Sequence, residues 1–316
     1  MTNQNKCIIN TQKPILDYRR ALDHEVMMKY IEIFANRYDF IDVGTLGESI
    51  LGRKIPIIKI GRGEPCVLYV GVHHAMEWIT GIILLRYVNE FCELYKNGGR
   101  AYNYTAEYLY SSRTVFIVPM LNPDGVDYQI NGVSKENLLY DRIIRMNSES
   151  EDFSSWQANA RGVDLNHNYS FGFSEYKAIE DELGIYDGGP SKYSGSAPES
   201  EPETAALCSF LRRNDAMRAV ISLHTQGEEI YYSSGGRVAH RSNVLGHIFS
   251  RLSGYKLSVP TGSAAYGGLL DYCIGELKLP AFTLECGKGK NPLPLSDHLK
   301  IYADLRELLF VAPTMI

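Results

Sequence analysis

Cys66-Val-Leu-Tyr-Val70, then Gly71-Val-His-His-Ala-Met-Glu77, then Trp78-Ile-Thr-Gly-Ile-Ile-Leu-Leu-Arg-Tyr87 form one unbroken stretch of this chain. The first segment is apolar throughout and short, as a strand buried on both faces is. The last has the apolar character and length of a helix. Between them stand His74 and Glu77, three residues apart where a turn or helix start projects both side chains to the same side. An imidazole and a carboxylate there can close on one Zn²⁺ at about 2.0–2.2 Å. In an open α/β sheet the carboxyl end of a strand is also where ligands bind.

The same pattern recurs along the chain. Ile41-Asp-Val-Gly44, Ile55-Pro-Ile-Ile-Lys-Ile60, Val115-Phe-Ile-Val-Pro119, Ala219-Val-Ile-Ser-Leu223 and Phe282-Thr-Leu-Glu285 read as further strands. An amphipathic helix is predicted over about Asp17 to Asn36. Apolar strands separated by helical patterns predict a mainly parallel sheet covered on both faces. Ser200-Glu-Pro-Glu203 predicts a capping box, with Ser200 as N-cap, Glu203 as its reciprocal partner and Pro202 in the first turn. The stretch from Leu121 to Ser200 is rich in Asn, Ser, Gly and Tyr and lacks sustained periodicity. Its aromatic residues argue against disorder, so it reads as a long functional loop region.

Catalytic zinc takes three protein ligands and keeps one position open. The third candidate is His224, which ends its strand as His74 follows its own. His73, adjacent to His74, is expected to point the other way. Hydrolysis also needs a base for the activated water, and Glu285 closes an apolar strand where an unpaired carboxylate is costly to bury. Arg161-Gly-Val-Asp-Leu-Asn-His-Asn168 supplies donors. Arg161 is placed to polarise a substrate carbonyl, and Asn166 and His167 to hold a carboxylate or amide on the leaving side.

Gly71-Val-His-His-Ala-Met-Glu-Trp-Ile79, Leu121-Asn-Pro-Asp-Gly125, Gly162-Val-Asp-Leu-Asn166, Ser222-Leu-His224 and Phe282-Thr-Leu-Glu285 together resemble the zinc carboxypeptidase family in order and spacing. The resemblance runs from about residue 15 to 316. That divides the chain into an N-terminal tail, 1–14, and a zinc peptidase catalytic domain, 15–316. It implies a single α/β domain with a mixed, mostly parallel, twisted sheet of about eight strands, helices on both faces. It also implies one Zn²⁺ per chain on His74, Glu77 and His224, Glu285 as general base, and Asn166 in the site for the substrate's carboxylate.

Departures from the family carry the substrate reading. Digestive members have Asn-Arg-Asn where this chain has Asn166-His-Asn168. His167 cannot reproduce the bidentate clamp of that arginine on a C-terminal carboxylate. The family's mobile tyrosine aligns with Ser263, leaving Tyr266 as the substitute three residues later. Leu270, at the base of the primed-side pocket, offers no charge, although Asp271 lies next to it. The arginine that polarises the carbonyl is Arg161 or, at the place used by digestive members, Arg145. With His224-Thr-Gln-Gly-Glu-Glu-Ile-Tyr231, Trp156-Gln-Ala-Asn-Ala-Arg161 and Asn291-Pro-Leu-Pro294, these departures resemble the bacterial γ-D-glutamyl-L-diamino-acid peptidases. The resemblance implies a hydrolase of murein stem peptides, a small muropeptide substrate and a role in peptidoglycan recycling. The alternative on the same zinc set is a carboxypeptidase, deacylase or deglutamylase acting on other peptides or acyl-amino acids.

Composition sets the outer bounds. The 316 residues are 45% hydrophobic and 22% charged, which suits one large domain. A net charge of −5 without clustered Lys or Arg gives nucleic acid no electrostatic footing. There is no run of apolar residues long enough to span a membrane. The six cysteines lack Cys-x-x-Cys spacing, several lie inside strand or helix patterns, and the first residues lack the apolar core of a signal peptide. Together these predict a cytoplasmic protein with reduced thiols.

Overall fold

The protein is described here by a computed structural model covering residues 16, 17 and 19–316. The tail 1–14, and Cys7 with it, lies outside the described residues.

Ten strands are present among the described residues: β1 (Ile41–Glu48), β2 (Lys54–Gly61), β3 (Cys66–Gly71), β4 (Arg100–Ala101), β5 (Tyr104–Thr105), β6 (Thr114–Val118), β7 (Met217–His224), β8 (Glu229–Tyr231), β9 (Lys256–Ser258) and β10 (Ala281–Glu285). β4 and β5 pair only with each other, and the remaining eight form one sheet in the order β1-β2-β6-β3-β7-β10-β8-β9. Its centre is parallel, β6 with β3, β3 with β7 and β7 with β10. Antiparallel pairings of β1 with β2, β2 with β6 and β10 with β8 make it mixed.

Every residue of β3 is buried, and its side chains divide by the two-residue period of a strand. Val67 and Tyr69 join one apolar cluster with the helices His24–Arg37, Ile79–Lys96, Ser242–Ser253 and His298–Met315. Cys66, Leu68 and Val70 join a second with the helices Pro202–Arg212 and Leu269–Gly275. Helices therefore cover both faces, and the fold is the single α/β domain the resemblance implied.

After β3 the chain runs through the helix Ile79–Lys96 to β6 on one side, while β7 pairs with β3 on the other. The order of strands reverses at the carboxyl end of β3, where doubly wound sheets leave a crevice.

Two sequence readings need correction. The first helix starts at His24 rather than Asp17, because Asp23 caps it by accepting from the Val26 N–H at 2.8 Å. The helix Pro202–Arg212 has Pro202 in its first turn but no side-chain cap, and Ser200 and Glu203 do not form the capping box. Both are drawn elsewhere: Ser200 Oγ meets Asn168 Nδ2 at 2.9 Å, and Glu203 accepts from the Ile50 N–H and Asn159 Nδ2, each at 3.4 Å. Burial of a polar cluster outweighs a cap that could be solvated instead.

The stretch from Leu121 to Ser200 is not structureless. It holds the short helices Pro123–Asn131, Tyr140–Met146 and Phe173–Leu183. Asn122 anchors it. Its Nδ2 donates to the carbonyls of His73 at 3.0 Å and Ala158 at 3.1 Å, and its Oδ1 accepts from the Gly125 N–H at 3.0 Å. A Cβ at Gly125 would lie 2.1 Å from the Ala158 carbonyl oxygen, so glycine is required there.

Candidate metal centre and active site

The carboxyl ends of three adjacent parallel strands meet at the crevice. β3 delivers His74 through a short loop, with Glu77 in the following turn Ala75–Glu77. β7 ends on His224, and β10 ends on Glu285, which lies directly opposite His224 in the parallel register.

His74, Glu77 and His224 converge. His74 Nδ1 lies 3.0 Å from Glu77 Oε1, His224 Nδ1 3.1 Å from Glu77 Oε2, and the two Nδ1 atoms 3.3 Å apart. Ligands at about 2.1 Å from a tetrahedral ion stand roughly 3.4 Å from one another, so these spacings suit one Zn²⁺. Glu77 Oε2 is buried without a hydrogen-bond partner among the described residues. A buried carboxylate whose two oxygens each face an imidazole nitrogen calls for a cation. Of the described residues, these three form the group able to hold a metal ion.

Asp164 completes the ligand geometry. Its Oδ1 accepts from His74 Nε2 at 3.1 Å, which leaves the Nδ1 lone pair facing Glu77 and His224. Burial disfavours the charged His74 ring, yet the Glu77 and Asp164 carboxylates hold it well above the usual histidine range. Burial likewise works against ionised Glu77, but the His74 and His224 rings bring it down to about 2. Asp164 is held below the ordinary carboxylate range, again against its burial, by His74 and His167. The site favours positive charge at its centre.

His73 turns away from this centre. Its Nε2 meets the Tyr169 hydroxyl at 2.9 Å, its ring stacks on His224 at 5.2 Å, and burial pushes it well below the usual histidine range.

A cavity of about 170 Å³ opens over the group. Among its lining residues are His74, Glu285, Asn166, His167, Tyr266 and Leu270, so most of the sequence candidates are gathered at one place. Glu285 is partly buried at its wall, and burial, with the Glu77 carboxylate behind it, pushes its carboxyl up to about 8. Asn166 Oδ1 accepts from the Leu269 N–H at 3.3 Å. His167 Nδ1–H donates to the Tyr266 carbonyl at 2.9 Å, and its ring stacks on Tyr176 with centroids 3.6 Å apart. Its Nε2 is thereby left an acceptor. Tyr266 itself sits at φ 67°, a left-handed conformation that is uncommon for a tyrosine. Asp271 beside Leu270 accepts from the Gly268 N–H at 3.0 Å, capping the helix Leu269–Gly275, and burial raises its pKa.

Neither arginine expected from the sequence lines the cavity. Arg161 Nε is paired with Glu201 Oε2 at 3.0 Å, and its Nη2 donates to the Ser200 carbonyl at 3.1 Å. Glu201 is almost fully buried and, left unpaired, would be costly, which is a structural reason for this arginine. Arg145 is exposed on the helix Tyr140–Met146. The residues the sequence reading passed over are Asp164, Gln157, Lys192 and Tyr231, all lining the cavity. Asp164 stood inside a quoted motif, and a carboxylate two residues before Asn166 was the available signal. Gln157 and Tyr231 also stood inside quoted motifs, and Lys192 carried no signal.

The zinc carboxypeptidase family profile matches residues 27–306, and the chain belongs to that family. The site, with its His-Glu-His group, is that of a zinc metallopeptidase. The chain is 36% identical to the γ-D-glutamyl-L-diamino acid endopeptidase 1 of Lysinibacillus sphaericus over 92% of its own length and 72% of the relative's. Its fold is similar to that of the carboxypeptidase A of Helicoverpa armigera, with a TM-score of 0.73 at 18% identity over 94% of this chain and 74% of the other. It is also similar in fold to the murein-tripeptide amidase of Escherichia coli O157, with a TM-score of 0.52 at 19% identity over 85% of this chain and 91% of the other.

Proposed function

We propose that this metallopeptidase hydrolyses the amide joining γ-D-glutamate to diaminopimelate, or to lysine, in murein stem peptides, with residues 15–316 as its catalytic domain. The observation that carries the substrate is the 36% identity, over nearly the whole chain, to a relative named for cleavage at that junction. His167 supports it: with Nδ1 committed to Tyr266, this residue presents an acceptor rather than the guanidinium fork that grips a peptide's C-terminal carboxylate.

In this reading His74, Glu77 and His224 hold zinc, with Asp164 fixing the His74 ring. When bound, the metal supplies Lewis acidity and lowers the pKa of a water toward about 7. Glu285 takes a proton on its carboxylate and hands it to the departing amine. Asn166 and His167 position the leaving side, Leu270 forms the base of that pocket, and Tyr266 closes its rim. Arg161 serves the loop through Glu201. We place the enzyme in muropeptide recycling in the cytoplasm; its five described cysteines, all buried free thiols, are in keeping with a reducing compartment. No described helix is long and apolar enough to cross a membrane.

The test is mass spectrometry of the products formed from synthetic murein tri- and tetrapeptides. Release of diaminopimelate from L-Ala-γ-D-Glu-diaminopimelate is the expected outcome. Loss of only the terminal D-Ala from the tetrapeptide, or hydrolysis of acyl-amino acids alone, would instead establish the carboxypeptidase or deacylase alternative.

A further inference from the structure

Lys192 is the single lysine or arginine among the residues lining the cavity, which also presents the carboxylates of Asp164, Asp271 and Glu285. Its side chain is exposed and makes no ion pair with a described residue. Its backbone, by contrast, is pinned from several directions. The Lys192 N–H donates to Asp164 Oδ2 at 3.2 Å, and its carbonyl accepts from the Tyr176 hydroxyl at 3.2 Å. The next residue's carbonyl, that of Tyr193, accepts from the Asp164 N–H at 2.7 Å. Lys192 is held at φ 68°, a conformation that non-glycine residues seldom adopt. Asp164 thus grips a metal-site histidine with one oxygen and the base of this lysine with the other. The backbone of Lys192 is therefore fixed relative to the metal group, and from it an ammonium without an ion-pair partner among the described residues extends on a flexible stem.

From this we propose that Lys192 is a specificity residue whose ammonium receives a carboxylate of the peptide substrate. The inference rests on the substrate reading above, and the chemistry of that substrate demands such a group. Glutamate linked through its γ-carboxyl keeps its α-carboxylate free, and the diamino acid brings carboxylates of its own. With the metal group given over to the scissile amide, a carboxylate entering beside three acidic side chains needs a positive partner elsewhere, and Lys192 is the single lysine or arginine among the lining residues.

Binding tests this without requiring turnover. Zinc-loaded Glu285→Gln protein, with and without Lys192→Met, is titrated calorimetrically with three peptides: L-Ala-γ-D-Glu-diaminopimelate, its analogue amidated at the glutamyl α-carboxylate, and its analogue amidated at the diaminopimelate carboxylates. The expected result is that Lys192→Met weakens binding of the unmodified peptide roughly tenfold or more, the scale of a hydrogen bond to a charged group. Zinc content and Tm stay unchanged, and Lys192→Arg restores most of the affinity. Amidation at one of the two positions costs the parent a similar factor and costs the Lys192→Met protein almost nothing, which identifies the carboxylate bound. In the otherwise wild-type enzyme the same substitution raises KM with little change in kcat.

Equal affinity of both proteins for all three peptides, a Lys192→Met loss that neither amidation removes, or no binding by any of them overturns the proposal. If the wild-type enzyme cleaves none of the peptides while their binding still depends on Lys192, the substrate reading fails and the assignment of Lys192 stands.

Discussion

The carboxyl edge of β3, β7 and β10 and the irregular stretch from 121 to 200 face each other across one cavity and are built by opposite means. At the strand edge, parallel pairing alone sets Glu285 opposite His224 and brings the loop after β3 alongside. Backbone register, backed by two apolar clusters, does the positioning. In the irregular stretch, side chains hold backbone. Asn122 ties three segments together, Asp164 joins His74 to Lys192, and Asn168 gathers the Ser194 and Ala197 carbonyls. A sheet edge tolerates the loss of one side chain because the ladder remains. A polar network does not, because each buried group left behind loses its partner. The edge should therefore fail chemically when altered, and the loop should fail by loosening.

The largest effect is expected at the edge. His224→Ala should leave the fold intact and reduce bound zinc, read by elemental analysis, from about one equivalent to near none, since two ligands make a poor site. Retention of stoichiometric zinc would remove His224 from the centre. Next comes Glu285→Gln, which should keep zinc and Tm while kcat falls roughly 10²–10⁴-fold, the scale of general base catalysis. Near-normal turnover in that protein would mean the base lies elsewhere. On the loop side, Asp164→Asn should weaken zinc affinity roughly 10–100-fold, as loss of a partner to a ligating histidine does. A competitive chelator titration measures this, and an unchanged affinity would detach the loop from the metal centre.

The last effect concerns pH and arises only in metal-free protein. In metal-free protein the Glu285 carboxyl is pushed up to about 8 from an ordinary 4.5. Between those values the folded state holds a proton that the unfolded state has released, so stability falls as pH rises through that window. Glu285→Gln should abolish that part of the slope. The Tm difference between the two metal-free proteins should accordingly be small at pH near 4.5 and grow toward pH 8, with the wild type the less stable. A constant difference across that range would show that Glu285 is not destabilised by burial and Glu77.

Strand-edge residues were legible for a physical reason. A doubly buried strand is a short apolar run, and a polar residue at its end stands out, as His74, His224 and Glu285 do. The three-residue strands β8 and β9 escaped notice because three residues establish no period. Ser200 and Glu203 misled in the opposite direction. Their local pattern was that of a cap, and a buried polar cluster some thirty residues away in sequence claimed Ser200 instead.

By itself, then, the sequence determined the α/β class, the strands that form the centre of the sheet, the His-Glu-His set and the candidate base, because each depends on local periodicity or on residue chemistry at a strand's end. The tertiary structure alone decided that Arg161 belongs to Glu201, that His167 offers an acceptor, and that Asp164 and Lys192 stand at the cavity. Those placements depend on which distant groups are buried together, and a buried polar atom must take whatever partner the fold brings within reach.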